Sequence, residues 1–452
     1  MISVKIPILM ATQHPDSTVE IPVSEEVKEA IEDLMPIEKG GRGCDEKMVD
    51  YEGKLTPYHQ MKWIINELGS KGLIPGEDFL ITPRIPSPLL EEPDRHLLSL
   101  VSAISANIFS AKYGGQAIKY IILPMANMNE FDAFMNRLYR FRKVISEEYR
   151  IEDKIVPIPL LESIDEHINA KKYAEMLINK GVESPRIFLG KSDAALSNGH
   201  IASTISMRFA ISELVEVGAN PIIGVGKPPF RGHLAEWNID TWVKAYSGYR
   251  TVTIQSALRF DTDREDYIHV IKKIKNNVGG SQNINEDLLK YIKPFSSCWK
   301  KVLGKIYGIV NKVAKQVPSN RARISSYLRD INGIKLPRAI KFTASLYTLG
   351  IGPTILELYY CHELGIEKII DGIPEIIKDF KFDAKYTVPE VAARNLRIDS
   401  YKLKNILDSF GFECCIESSV SRILKKISKK IGKDESIRQE LITLATIRGF
   451  LG

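Results

Sequence analysis

Short runs of β-branched and aliphatic residues recur along this chain with helix-like stretches between them, and that alternation limits the fold more than any other feature. The runs IPILMA (6–11), DFLITP (78–83), IKYIILP (118–124), IVPIPLL (155–161), RIFLG (186–190), PIIGVG (221–226) and TVTIQ (251–255) predict strands, and KMVDYEG (47–53) predicts a weaker eighth. Helical patterns lie at 99–114, 131–149, 168–181 and 202–218, the third ending on a glycine of the kind that closes helices. Strands alternating with helices form parallel βαβ units. About eight such units predict an α/β chain closed as a (β/α)8 TIM barrel rather than an open, doubly wound sheet. From about Asp287 the strand signal fades and helix-like segments dominate. Residues 1–280 are therefore expected to form the barrel core with catalytic strand ends. Residues 281–452 are expected to be mostly helical, packed on the barrel and contributing to the same site, with NVGGSQNINED (277–287) as the linker.

At 452 residues the chain exceeds one small core, which suits a large barrel with added helices. Its 44% hydrophobic and 26% charged residues are ordinary for a globular protein. The formal charge of +6, from 62 basic against 56 acidic side chains, is mild and suits anionic substrates. Part of it is local. RILKKISKKIGK (422–433) spaces Ile423, Ile427 and Ile431 as an amphipathic helix does, so its lysines read as a solvated face before a nucleic-acid or membrane contact. The cysteines are Cys44, Cys298, Cys361, Cys414 and Cys415; their odd number, two of them adjacent and none in a CxxC pair, predicts no disulfide framework and no zinc site. That usage points to a reducing cytoplasm. The first residues, with one lysine and an apolar stretch broken by Pro7, do not read as a signal peptide. No apolar run approaches the roughly twenty residues of a membrane helix.

In a barrel the C-terminal ends of the strands open on one face, where active sites of this architecture lie. His14 follows the first run, Arg84 the second, Glu162 the fourth and Asp193 the fifth; Lys227 and Arg231 follow the sixth, Gln255 and Arg259 the seventh. His14 stands in ILMATQHPDS, where the next proline favours an extended or turn conformation, so it either punctuates a loop or does chemistry. Glu162 and Asp193 suit Mg²⁺ or Mn²⁺, hard ions that take one or two carboxylates with water and substrate; each could instead cap the helix that follows. Arg84, Arg231 and Arg338 offer guanidinium forks to phosphate or carboxylate. GVGKPPFRGHL (224–234) has glycines that let backbone N–H groups approach an anion, without being a Walker or GxGxxG motif. With a histidine that titrates near neutrality, this set suits enolate chemistry on a phosphorylated or carboxylated substrate.

Several of these segments resemble the archaeal-type phosphoenolpyruvate carboxylases. They are MATQHPDS (10–17), CDEKMVDYEGKLTPYHQ (44–60), TPRIPSP (82–88), PLLES (159–163), GKSDAALSNGH (190–200), GKPPFRGHL (226–234), TVTIQSALRFD (251–261) and LPRAIKFTASLYTLGIGPTILE (336–357), in order along nearly the whole chain. The resemblance implies a barrel with extra helices, working as a homotetramer. It also implies a reaction of phosphoenolpyruvate with bicarbonate to oxaloacetate and phosphate, needing Mg²⁺ or Mn²⁺ but no biotin. By motif, Glu162 and Asp193 fall on the family's metal ligands and His14 on its catalytic histidine. Arg231 falls on a glycine-loop arginine that contacts phosphate, Arg338 on an arginine reaching the same site, and Arg84 on another substrate arginine. Lys227 would replace a second glycine-loop arginine, Gln255 is a further substrate-binding candidate, and Gly452 in the final IRGFLG would help close the pocket. Leu196 stands where the longer bacterial and plant enzymes have a lysine, and no second arginine appears near Gly350.

Two other readings remain at this stage. One is a different enolate-forming lyase, similar to isocitrate lyase or phosphoenolpyruvate mutase, with Asp45, Glu46 and Asp50 as its acidic metal site. The other is a non-catalytic module that holds nucleic acid through the basic helix.

Overall fold

A computed structural model describes residues 6–452 except 90, 125–126, 151–153, 283, 319–328, 332, 415–417, 432 and 434. Eight parallel strands close in sequence order into a barrel: β1 (Leu9–Ala11), β2 (Glu46–Asp50), β3 (Leu80–Arg84), β4 (Tyr120–Pro124), β5 (Val156–Leu161), β6 (Arg186–Gly190), β7 (Asn220–Gly224) and β8 (Thr251–Ile254). β1 pairs β8 from Leu9 with Val252 to Ala11 with Ile254, which seals the ring. All seven expected strands are present with ends shifted by a few residues, and the weak run at 47–53 is the full strand β2.

The period of two along each strand sorts the residues. Leu9, Ala11, Val49, Ile81, Ile121, Leu189 and Ile223 face the surrounding helices in one large apolar cluster. The alternate residues Met10, Met48, Leu80, Ile122, Ile158, Leu160, Phe188 and Ile222 pack together as a second cluster, the filled barrel interior. Below it lies a polar floor. The Arg186 fork donates to both oxygens of buried Glu46 at 3.0 and 2.7 Å and to the Thr251 hydroxyl at 3.0 Å, while Thr82 also bonds Glu46. One step further along the same register, at the opposite end, come Asp50, Arg84 and Glu162. Period two thus delivers charge to the mouth.

The segments after Glu286 are mainly helical, led by the 26-residue helix Leu289–Ala314. Their apolar faces share a cluster with Ala195, Leu196, Ile201, Ala202, Ile205 and Phe230, which follow β6 and β7. Trp299 fixes the contact by donating to the Leu196 carbonyl at 2.9 Å. A short antiparallel pair, β9 (Arg329–Ile331) and β10 (Ile334–Leu336), interrupts the helices where no strand was expected. The basic segment is the helix Ser418–Ile431, with Val420, Leu424, Ile427 and Ile431 buried and Ile423 only partly so; Lys426 and Lys430 pair with Glu440. No described helix is long and apolar enough to cross a membrane.

The cysteines correct one expectation. Cys298 and Cys361 form a disulfide between the helices Leu289–Ala314 and Pro353–Cys361, with Cα atoms 6.2 Å apart across 63 residues of sequence. Helix packing brings them together, which spacing along the chain does not disclose. Cys44 and Cys414 are free, and Cys415 lies outside the described residues.

Candidate active site

A cleft opens at the C-terminal mouth of the barrel, lined by His14, Asp50, Lys54, Arg84, Glu162, Ser192, Asp193, Arg231, Arg338, Ala339 and Ile340. Six candidates from distant parts of the sequence therefore meet there: His14, Arg84, Glu162, Asp193, Arg231 and Arg338.

His14 lies in the loop after β1. Pro15 turns the chain, and the Ser256 hydroxyl donates to the His14 carbonyl and bonds the Asp16 carboxylate at 2.8 Å, which fixes the loop to the start of the helix Ser256–Phe260. The imidazole is partly buried, and its Nδ1 makes no hydrogen bond among the described residues. Burial, then the charges of Arg84 and Lys54, hold its pKa well below 6.5. It is a neutral base at pH 7.

Arg84 ends β3. Its fork meets Asp50 through Nε and Nη2 at 2.9 and 2.7 Å, and Nη2 also lies 2.9 Å from Glu52. Lys54 donates to the Gln13 carbonyl and pairs with Asp50, both at 2.6 Å. Arg231 is buried on a short 3-10 turn, Pro229–Arg231, closed by Gly232 at φ 111°. A Cβ at Gly232 would lie 2.3 Å from the Val225 side chain, so the close turn requires glycine. Arg231 donates to Ser192 Oγ at 3.0 Å, Asp16 at 3.2 Å, Gln255 Oε1 and the Gly452 carbonyl oxygen. Gln255 and Gly452 thus position Arg231 without lining the cleft themselves. Arg338 stands at the N-cap position of the helix Ala339–Thr348, with Nη1 3.6 Å from Glu52 and Nη2 3.7 Å from Asp193.

Glu162 and Asp193 stand beyond β5 and β6. Neither serves as a cap: Ser163 and Glu166 form the capping box of the helix Ile164–Ile168, and Gly190 occupies the N-cap of Lys191–Asn198. Burial and the nearby Asp193 push the Glu162 carboxyl up to about 7. Burial would raise Asp193 as well, but Arg329 and Arg338 outweigh it and hold the group down at about 2. Two acids that repel each other, Asp193 buried and Glu162 partly so, fit a hard divalent cation, which takes one or two carboxylates and leaves its other positions to water and substrate. Among the described residues no group of three or more His, Cys, Asp or Glu side chains gathers as a ligand set.

Besides Gln255, two more strand-end residues are not brought to the cleft. Lys227 is buried away from the cleft, against Glu236 at 2.9 Å and Thr262 at 2.8 Å, with its ammonium over the Trp237 ring. Arg259 serves a buried ionic cluster with Glu29 and Asp33 that also holds Lys47. The acids of the alternative metal site are separated too: Asp45 accepts the backbone N–H groups of Ile8 and Leu9, Glu46 belongs to the floor, and Asp50 is held by Arg84. Conversely, Glu52, Lys54 and Arg329 belong to the site although they were not among the candidates. Asp50, Glu52 and Lys54 extend the period-two pattern of β2 past its end, a signal present in KMVDYEGK. Arg329 had none.

An eight-stranded α/β barrel whose strand ends hold a neutral histidine, arginine forks and a carboxylate pair defines a barrel enzyme built for a small, highly anionic substrate. Residues 6–452 match the family model described as "Phosphoenolpyruvate carboxylase", and this chain belongs to that family. The phosphoenolpyruvate carboxylase of Pyrobaculum calidifontis is 36% identical over 473 residues, covering 99% of this chain and 100% of its own. That of Thermofilum pendens is 34% identical, covering 99% of both chains. That of Methanosarcina barkeri is 32% identical, covering 88% of this chain and 86% of its own.

Proposed function

We propose that this cleft performs the family's reaction with His14, Arg84, Arg231 and Arg338 in the working roles and Glu162 and Asp193 as ligands of Mg²⁺ or Mn²⁺. The observation that supports the reading is the meeting of these six residues around one cavity.

Arg231 and Arg338 hold the phosphoryl group of phosphoenolpyruvate while a bicarbonate oxygen attacks phosphorus. The bond from phosphorus to the enol oxygen breaks, giving carboxyphosphate and the enolate of pyruvate. His14, neutral by virtue of its surroundings, accepts the carboxyphosphate proton as carbon dioxide and phosphate separate. The enolate carbon then adds to carbon dioxide to form oxaloacetate. Arg84, itself anchored on Asp50, fixes a donor beside the developing negative charge, where a preorganised cation costs no reorganisation. A bound divalent ion would supply further positive charge toward phosphate and enolate oxygens. Apolar Ala339 and Ile340 on one wall limit water at the enolate, which water would otherwise protonate to pyruvate.

The test couples oxaloacetate to NADH oxidation by malate dehydrogenase, with phosphoenolpyruvate, bicarbonate and Mg²⁺ each omitted in turn. Turnover should require all three, and activity persisting in excess chelator would remove the metal from the reading. The same reading takes the enzyme as biotin-free, insensitive to avidin, and as a cytoplasmic homotetramer, which light scattering would measure.

A further inference from the structure

Arg329, the first residue of β9, comes from the helical half of the chain and reaches both carboxylates at the barrel mouth. Its Nη2 lies 2.5 Å from Asp193 Oδ2 and 3.6 Å from Glu162 Oε2, and Glu52 Oε1 is 3.9 Å away. A single guanidinium nitrogen therefore lies within ion-pair reach of one oxygen of each carboxylate. A divalent ion held by these two carboxylates would compete with that nitrogen for the same oxygens. The two positive groups would also repel there with little water between them, since all three acids are largely buried.

We propose that Arg329 and the divalent cation are alternative occupants of the Glu162–Asp193 pair, so that cation binding frees the Arg329 end of the β9–β10 ribbon from the barrel mouth while Ile331 and Leu336 stay packed in the helical core. The inference rests on the assignment of that pair as the metal site. Arg338 follows the ribbon directly and starts the helix Ala339–Thr348, so the ribbon is joined to an arginine of the anion site. The pair of strands is only three residues long on each side, and among its described contacts Arg329 supplies the ionic link to the acids of the mouth. Exchanging one tether for a cation is thus a means by which the protein registers metal loading before substrate arrives.

The experiment measures Mn²⁺ affinity without substrate, by electron paramagnetic resonance of free Mn²⁺, on wild type and three variants. Arg329→Gln removes the competitor and should tighten Mn²⁺ binding by about five-fold or more, the lower range of a coupling between two sites. Arg338→Gln removes an equal charge 3.7 Å from Asp193 without the direct bond, and should change affinity less. Equal tightening in both variants would mean general charge alone and would overturn the competition, as would no tightening in Arg329→Gln. Asp193→Asn should lose the Mn²⁺ site; wild-type binding there would instead overturn the metal assignment, and the proposal with it. A measurement on intact wild type needs no variant to fold: hydrogen exchange of the amides of β9 and β10 should quicken on Mn²⁺ addition while β1–β8 stay unchanged. Slowed or unaltered exchange in the ribbon would refute the release of its Arg329 end.

Discussion

Burial and the cations Arg84 and Lys54 set the protonation of His14, and the sign of their effect can be measured. A base held below its ordinary pKa of 6.5 stays neutral until the solution is more acidic than that, so the acidic limb of kcat/KM assigned to His14 should lie below pH 6.5. Lys54→Met removes one of the lowering charges and should move that limb to higher pH, as a pH–rate profile in saturating bicarbonate would record. His14→Asn keeps a polar side chain but has no base. It should abolish oxaloacetate formation while leaving some bicarbonate-dependent phosphate release, measured with a phosphate assay; oxaloacetate at the wild-type rate would remove His14 from the mechanism. Arg231 carries a similar argument. Lysine at that position keeps the charge but cannot meet Ser192, Asp16 and Gln255 together. Arg231→Lys should lower kcat/KM by about a hundred-fold, the usual cost of one donor to a developing oxyanion.

Among the elements, the helices Leu289–Ala314 and Pro353–Cys361 are joined by Cys298 and Cys361. Closing 63 residues of chain restricts the unfolded state, and Cys298→Ser should cost about 4 kcal/mol in urea unfolding by the loop-entropy relation. The strands of the barrel were readable because each is a short apolar run between helices, and because period two carries its alternation into the charged mouth. β9 and β10 were not. Each has three residues, half of them charged or exposed, in a stretch whose pairing depends on partners that only the folded chain provides. Arg329 stayed hidden with them, and the disulfide was hidden for the same reason. Lys227 shows the converse: a strand-end position is legible, but the direction of a long side chain there was decided by Glu236 and Trp237 just past the motif and by Thr262 much further along the chain.

In the whole molecule, the order of charge along the barrel axis has a consequence for traffic. The Glu46–Arg186–Thr251 layer, fully buried, stoppers the lower end, so phosphoenolpyruvate enters and orthophosphate leaves through one doorway. Product that lingers there blocks the next arrival. Orthophosphate should therefore raise the apparent KM for phosphoenolpyruvate while leaving kcat unchanged, a pattern that initial rates at several phosphate concentrations would reveal. A fall in kcat alone would require a separate exit.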